Sequence, residues 1–147
     1  MTIGIVKVDH VGIRVRQRTR AIAFYEQLGF EVRADGGFER GHPIIMEDPS
    51  GVVINLLGPA TTPEGPNVLM DVEAKHSGYT HMALRVSSLD DARAFLADHG
   101  IAITGQFSFG DLRALFIRDP DGNVIELDEY PGGQPTTRQA DGYEEHP

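Results

Sequence analysis

Histidines at positions 10 and 81 and a glutamate at position 126 are the side chains of this 147-residue chain best suited to chemistry. Each histidine opens an alternating apolar segment, HVGIRV and HMALRV, and Glu126 stands inside another, NVIEL. An earlier segment, VVINL, matches the last with Asn55 in place of Glu126. Two imidazoles and one carboxylate suit a divalent metal that keeps open coordination positions, and a carboxylate can also carry a proton. Asn55 takes no proton at neutral pH, although its oxygen can ligate weakly or hold a metal-bound water. A lone histidine in a strand is ordinarily a satisfied core or surface residue. Only the equivalence of the two favours a metal site. The chain has no cysteine, which excludes thiolate ligands, cysteine nucleophiles and disulfides.

A repeat supplies that equivalence. An offset of 71 aligns residues 10–57 with 81–128 without a gap, and fourteen of the forty-eight positions are identical. About three would match at average usage. The pairs include His10 with His81, Arg14 with Arg85, Phe24 with Phe95, Gly29 with Gly100, and Asp48-Pro49 with Asp119-Pro120. The two halves are therefore expected to share one β-α-β-β-β fold. On the first strand Val11, Ile13 and Val15 face one way, and His10, Gly12 and Arg14 the other. Its twin sets Met82, Leu84 and Val86 against His81, Ala83 and Arg85. The aliphatic sides must pack on the helices, so the histidines look away from them. On the last strand Ile125 and Leu127 share one face, and Val124, Glu126 and Asp128 the other. The same parity turns Asn55 with Glu126, so all four candidates face away from the helices.

The remaining elements frame these strands. Ala21, Phe24, Tyr25 and Leu28 make one apolar helical stripe, and Leu89, Ala92, Phe95 and Leu96 another. Ser88 with Asp91 is a capping-box variant at the start of the second helix. Arg16, Arg18 and Arg20 crowd the positive end of the first, where a solvated surface is expected rather than an anion site. DPSG and DPDG carry the Pro and Gly of type I turns. The first module is placed at 5–57 and the second at 79–130, with a Pro- and Gly-rich linker at 58–78 in which NVLMDV suggests a short edge strand. Residues 131–147 read as a flexible acidic tail.

A formal net charge of −9 argues against a nucleic-acid partner. No apolar run approaches the ~20 residues of a membrane span, and the first residues do not resemble a signal peptide. These features point to a cytoplasmic protein without a membrane partner.

VDHVGIRV with AIAFYEQLGFEV, and THMALRV with FIRDPDGNVIEL, resemble the vicinal oxygen chelate superfamily over residues 5–130. That group includes glyoxalase I, bleomycin-resistance proteins and extradiol dioxygenases. The resemblance implies an α+β fold in which two tandem βαβββ modules form a U-shaped sheet around a metal, with the helices outside. It sets His10, His81 and Glu126 on three ligand positions and Asn55 on the fourth. The metal it implies is one divalent ion per site, Zn, Ni, Mn, Fe or Co. It implies a small vicinal-oxygen substrate and a glyoxalase-like lyase or isomerase in which Glu126 is the base. An extradiol dioxygenase with Fe(II) is the first alternative, weakened because Phe116 falls where a tyrosine is usual. A non-catalytic drug- or metabolite-binding protein is the second. Family sites often combine modules of two chains, which implies a homodimer. Arg14, Arg85 and Phe116 are possible substrate contacts, with a solvated sheet rim as the ordinary reading of the arginines. Phe38, Phe107 and Phe109 are expected in the core rather than lining a pocket. His99 is expected at a helix end.

Overall fold

The computed structural model describes residues 1–132, so most of the expected tail lies outside the described residues. The chain divides into two compact units. The first holds Met1–Ser77 together with the turn Asp119–Asn123, and the second holds Gly78–Arg118 and the described residues from Val124 onward.

The first half contains β1 (Val11–Arg14), α1 (Arg18–Gln27), β2 (Glu31–Asp35), a 3-10 turn (Phe38–Arg40), β3 (Ile44–Glu47) and β4 (Val53–Leu57). The second contains β5 (His81–Arg85), α2 (Leu89–Asp98), β6 (Gly105–Phe109), β7 (Leu112–Arg118) and β8 (Val124–Glu129). Each half is thus the βαβββ unit that the repeat implies. The sheets have equivalent orders, β1-β4-β3-β2 and β5-β8-β7-β6, and the outer strand of each pairs in parallel with the last. Those parallel pairs set Gly12 beside Asn55 and Ala83 beside Glu126.

Alternation places the side chains as expected. Ile13, Val15, Ile54 and Leu56 are buried in the first unit, with Ala21, Phe24 and Tyr25 of α1. Leu115, Ile117, Ile125 and Leu127 are buried in the second, with Leu89 and Leu96 of α2. His81, Ala83 and Arg85 form the exposed side of β5. Among the three phenylalanines expected in the core, Phe38 is buried and its ring fills the space where Gly58 has no Cβ. Phe107 is not buried; it is 42% exposed on the edge strand β6.

The turns and caps show how the halves diverge. Both tetrapeptides close by a backbone bond, Gly51 N–H to Asp48 C=O and Gly122 N–H to Asp119 C=O, each 3.0 Å. Gly51 and Gly122 sit at φ 93° and 82°, which an L side chain rarely adopts. The Ser88 hydroxyl accepts the Asp91 N–H at 3.1 Å and caps α2. Gln17 offers α1 no such bond, and the first turn of α1 has no acid. Asp121 supplies the missing charge: its carboxylate accepts from the Arg16 N–H, the Arg16 guanidinium and Arg20, at 3.2, 3.3 and 2.8 Å. Arg20 also bonds Glu64, and Arg18 clamps Asp35 through two nitrogens. The three arginines are therefore ion-paired rather than simply solvated. A carboxylate near the helix N-terminus offsets both the dipole and the crowding of like charges.

NVLMDV forms no strand. The Asn67 carbonyl and side chain take up the N–H groups of Leu69, Met70 and Asp71, which curls the segment into turns. Asn hydrogen-bonding to the backbone ahead of it competes with extended structure.

Candidate functional site

Backbone pairing decides how close the chemical groups come. In the second unit β5 lies beside β8, which puts His81 one step along the sheet from Glu126. Their side chains meet, with His81 Nε2 2.8 Å from Glu126 Oε2. The Glu126 side chain is only 9% exposed, whereas that of His81 is 32% exposed, so the pair opens outward through the imidazole. The Thr80 hydroxyl lies 2.8 Å from His81 Nδ1 and fixes the ring from behind. Phe116, opposite Glu126 on β7, meets the His81 ring edge-on at 5.7 Å. Phe107 stacks on Phe116 at 5.9 Å. The sheet face thus carries an imidazole, a carboxylate and two aromatic rings in sequence.

Asp128 extends the carboxylate row and was not among the candidates from sequence. Partial burial, a hydrogen bond to Glu126 and the charge of Glu126 together push its carboxyl up to about 6, with His81 and Arg85 opposing. Its Oδ1 is buried without a hydrogen-bond partner. Two carboxyls this close hold a proton between them more readily than either alone. The parity of β8 already turned Asp128 toward Glu126, and its twin Leu57 marked a second polar change between the halves. Arg85, an expected substrate contact, lies over the Tyr130 ring at 4.5 Å.

In the first unit the equivalent groups are arranged differently. His10 precedes β1, and its Nδ1 is 2.7 Å from the exposed Asp9 carboxylate. That contact holds the Asp9 carboxyl below the ordinary aspartate range. Asn55 Oδ1 is buried without a partner. Arg14 is exposed. The oxygen-bearing residue before each histidine, Asp9 and Thr80, was a signal present in the sequence and not used. In both halves it lies against Nδ1, the arrangement by which an outer group orients an imidazole, and in the second half Nε2 meets Glu126.

The donor chemistry fits a divalent ion in part. His81 and Glu126 form a ready pair in the second unit, and in the first the buried Asn55 oxygen has no hydrogen-bond partner. Among the described residues no group of three or more His, Asp or Glu is assembled to hold a metal. His99, as expected, closes a helix end, with Nδ1 2.8 Å from the Phe95 carbonyl. Tyr25 is buried and donates its hydroxyl to Asp119 at 2.9 Å. Burial raises both groups, and Asp119 also accepts from Asn123 and Asp121.

Comparison with known proteins adds the following. Residues 7–127 match the family model described as Glyoxalase/Bleomycin resistance protein/Dioxygenase superfamily. No curated protein matches the chain in sequence. Among solved structures, the glyoxalase family protein from Enterococcus faecalis is similar at 25% identity and TM-score 0.69, covering 84% of this chain and 97% of its own. A glyoxalase/dioxygenase from Nostoc punctiforme is 24% identical with TM-score 0.67, covering 85% and 91%. TnmS3, an antibiotic binding protein from Streptomyces sp. CB03234, is 24% identical with TM-score 0.65, covering 88% and 99%.

Proposed function

The chain belongs to the glyoxalase/bleomycin-resistance/dioxygenase superfamily, and within it we propose a divalent-metal-dependent enzyme that isomerises or cleaves a small substrate bearing neighbouring oxygens. The observation that carries this reading is the His81–Glu126 pair, 2.8 Å apart with the carboxylate buried. His81 and Glu126 would hold the ion through Nε2 and a carboxylate oxygen, with His10 Nε2 as the third donor. Asn55 would be a weak fourth donor or a holder of water. The bound ion would stabilise negative charge developing on a substrate oxygen.

The chain's own residues do the rest. Glu126 takes and returns a proton at its carboxylate. Asp128, beside it, shares that proton and keeps it near the reacting carbon. Phe116 and Phe107 exclude water on one side of the pair. Thr80 keeps the His81 ring in register. Because Asn55 replaces the second carboxylate, one base serves both proton transfers. Phe116 offers no hydroxyl beside His81, which disfavours the ring-cleaving dioxygenase. The working unit is a homodimer.

A binding protein without turnover is the second reading, favoured by the similarity to TnmS3 and by the absence of a three-donor group among the described residues. Elemental analysis of protein purified without added metal decides between the two. The metal reading expects a stoichiometric divalent ion in the wild type and its loss in His81→Ala. A metal-free wild type that also fails to take up Zn(II), Mn(II) or Fe(II) would leave only the binding protein.

A further inference from the structure

The two Asp-Pro turns close in the same way but are seated differently. In each, the aspartate N–H donates to the carbonyl of the fifth residue, Asp48 to Val52 at 3.1 Å and Asp119 to Asn123 at 3.0 Å. In each, the aspartate Oδ1 accepts the N–H of that fifth residue, at 2.8 and 2.9 Å. The second turn nevertheless carries Asp121 and Asn123 where the first has Ser50 and Val52. The Asp121 side chain, only 3% exposed, accepts from Arg16 and Arg20. The Asn123 amide donates to the Arg14 carbonyl, and the Asn67 amide to the Gly122 carbonyl, each at 3.1 Å. These partners belong to the first compact unit, which takes in the turn, whereas β7 and β8 on either side of it belong to the second. Stabilising the start of α1 accounts for Asp121. It does not account for Asn123 or Asn67, whose bonds go elsewhere.

The strand pairing that follows each turn differs by one residue. After the anchored turn, β8 opens at Val124, and Val124 is paired with His81. After the other turn β4 opens at Val53, yet the parallel pair begins with Val11 and Ile54, and His10 stays outside it. His81 is the first residue of β5 and Glu126 the third of β8, so their contact sits at the end of a ladder. Strand ends open at little cost in free energy, and parallel pairing is slightly the weaker kind. We propose that Asp121 and Asn123 are positioning residues. By tying down the β7–β8 turn they keep the first pair of the β5–β8 ladder closed and hold Glu126 against His81. The half whose turn lacks them has lost that first pair, and its histidine turns to Asp9 instead.

The inference rests on the His81–Glu126 pair of the preceding reading and adds what keeps it assembled. Two variants carry the residues of the first turn into the second: Asn123→Val, and Asp121→Ser with Asn123→Val. Ser88→Ala, which loosens the same unit at the cap of α2, is the control. Metal-free full-length protein is followed by side-chain nitrogen-15 NMR of His81 and by amide hydrogen exchange along β5, β7 and β8. Zn(II) affinity is measured separately by competition with a chelating dye. In both variants the His81 Nε2 resonance is expected to move. The amides at the starts of β5 and β8 should exchange at least about 10-fold faster, with the middle of β7 unchanged. Zn(II) binding should weaken about 10-fold. The control should move neither the resonance nor the Zn(II) affinity. Asn123→Val keeps the Asp121 ion pairs, so it decides the matter should the double variant not fold. An unmoved His81 resonance in Asn123→Val, or an equal movement in Ser88→Ala, would overturn the inference. A wild type that takes up no Zn(II) would remove the metal reading alone, because the NMR comparison is made on metal-free protein and still decides this one.

Discussion

The two halves carry a histidine at equivalent positions of one repeat and surround it differently. In the second, His81 reaches across to Glu126 at 2.8 Å, braced by Thr80. In the first, His10 leans on the exposed Asp9, and Asn55 buries an oxygen that nothing satisfies. Strand order and register are alike, but β5 begins at His81 whereas β1 begins one residue after His10. The side chains differ as well: an amide stands where its twin has a carboxylate, and Asp9 where its twin is Thr80. Duplication preserved the scaffold, and side-chain divergence concentrated the charge in one half. The turns diverge in the opposite sense. Asp119 is buried and bonded by Tyr25, whereas its twin Asp48 serves its own turn, accepting from Val52 and Ser50.

The largest expected asymmetry is in metal affinity. Glu126→Gln should weaken Zn(II) binding at least about 100-fold in competition with a chelating dye, since the proposed charged donor to the ion is lost. Asn55→Ala should weaken it less than about 10-fold. Equal losses would mean that the halves contribute alike and would break the comparison.

Next is the buried turn. Tyr25→Phe removes one donor from buried Asp119 and should cost about 1–3 kcal/mol in denaturant unfolding. Ser50→Ala, on the equivalent exposed turn, should cost less than about 0.5 kcal/mol.

A smaller contrast lies at the helix starts. Ser88→Ala should destabilise by about 1 kcal/mol through loss of the cap. Gln17→Ala should be nearly neutral, because its side chain caps nothing.

The smallest effect is in pH dependence. Asp128 titrates near 6 when folded, above an unfolded aspartate near 3.9. A raised folded value makes its contribution complete below the unfolded value and lost as pH rises through about 6. Metal-free protein should therefore lose stability from this group between about pH 4 and pH 7. Asp128→Asn should flatten that part of the profile, with a Tm gain at pH 7.5 of less than about 3 °C because the group is only partly buried. An unchanged profile would show that Asp128 and Glu126 do not share a proton.

Much of this was legible in the chain. The repeat implied twin βαβββ units, alternation turned His81, Ala83 and Arg85 outward, and Ser88 announced its cap. Parity also faced Glu126 toward the side of His81. What was hidden depended on contacts distant in sequence or on local competition. Asp121 stabilises the start of α1 from 105 residues away, and nothing in the crowded arginines pointed to it. Asn67 folded back on its own backbone and displaced the strand that NVLMDV suggested. Phe107 had the composition of a core residue but lies on an edge strand, where one face stays open. The elevated Asp128 arises from burial beside Glu126, which alternation indicates only as a shared face.

Nitrogen-15 NMR of the histidine side chains during a Zn(II) titration tests the central claim most directly. The account predicts that Nε2 of His81 and Nε2 of His10 shift together and saturate at one ion per chain, while both Nδ1 signals keep their hydrogen-bonded positions. Binding through Nδ1, or an ion held by His42, His76 or His99 with His81 unmoved, would contradict it.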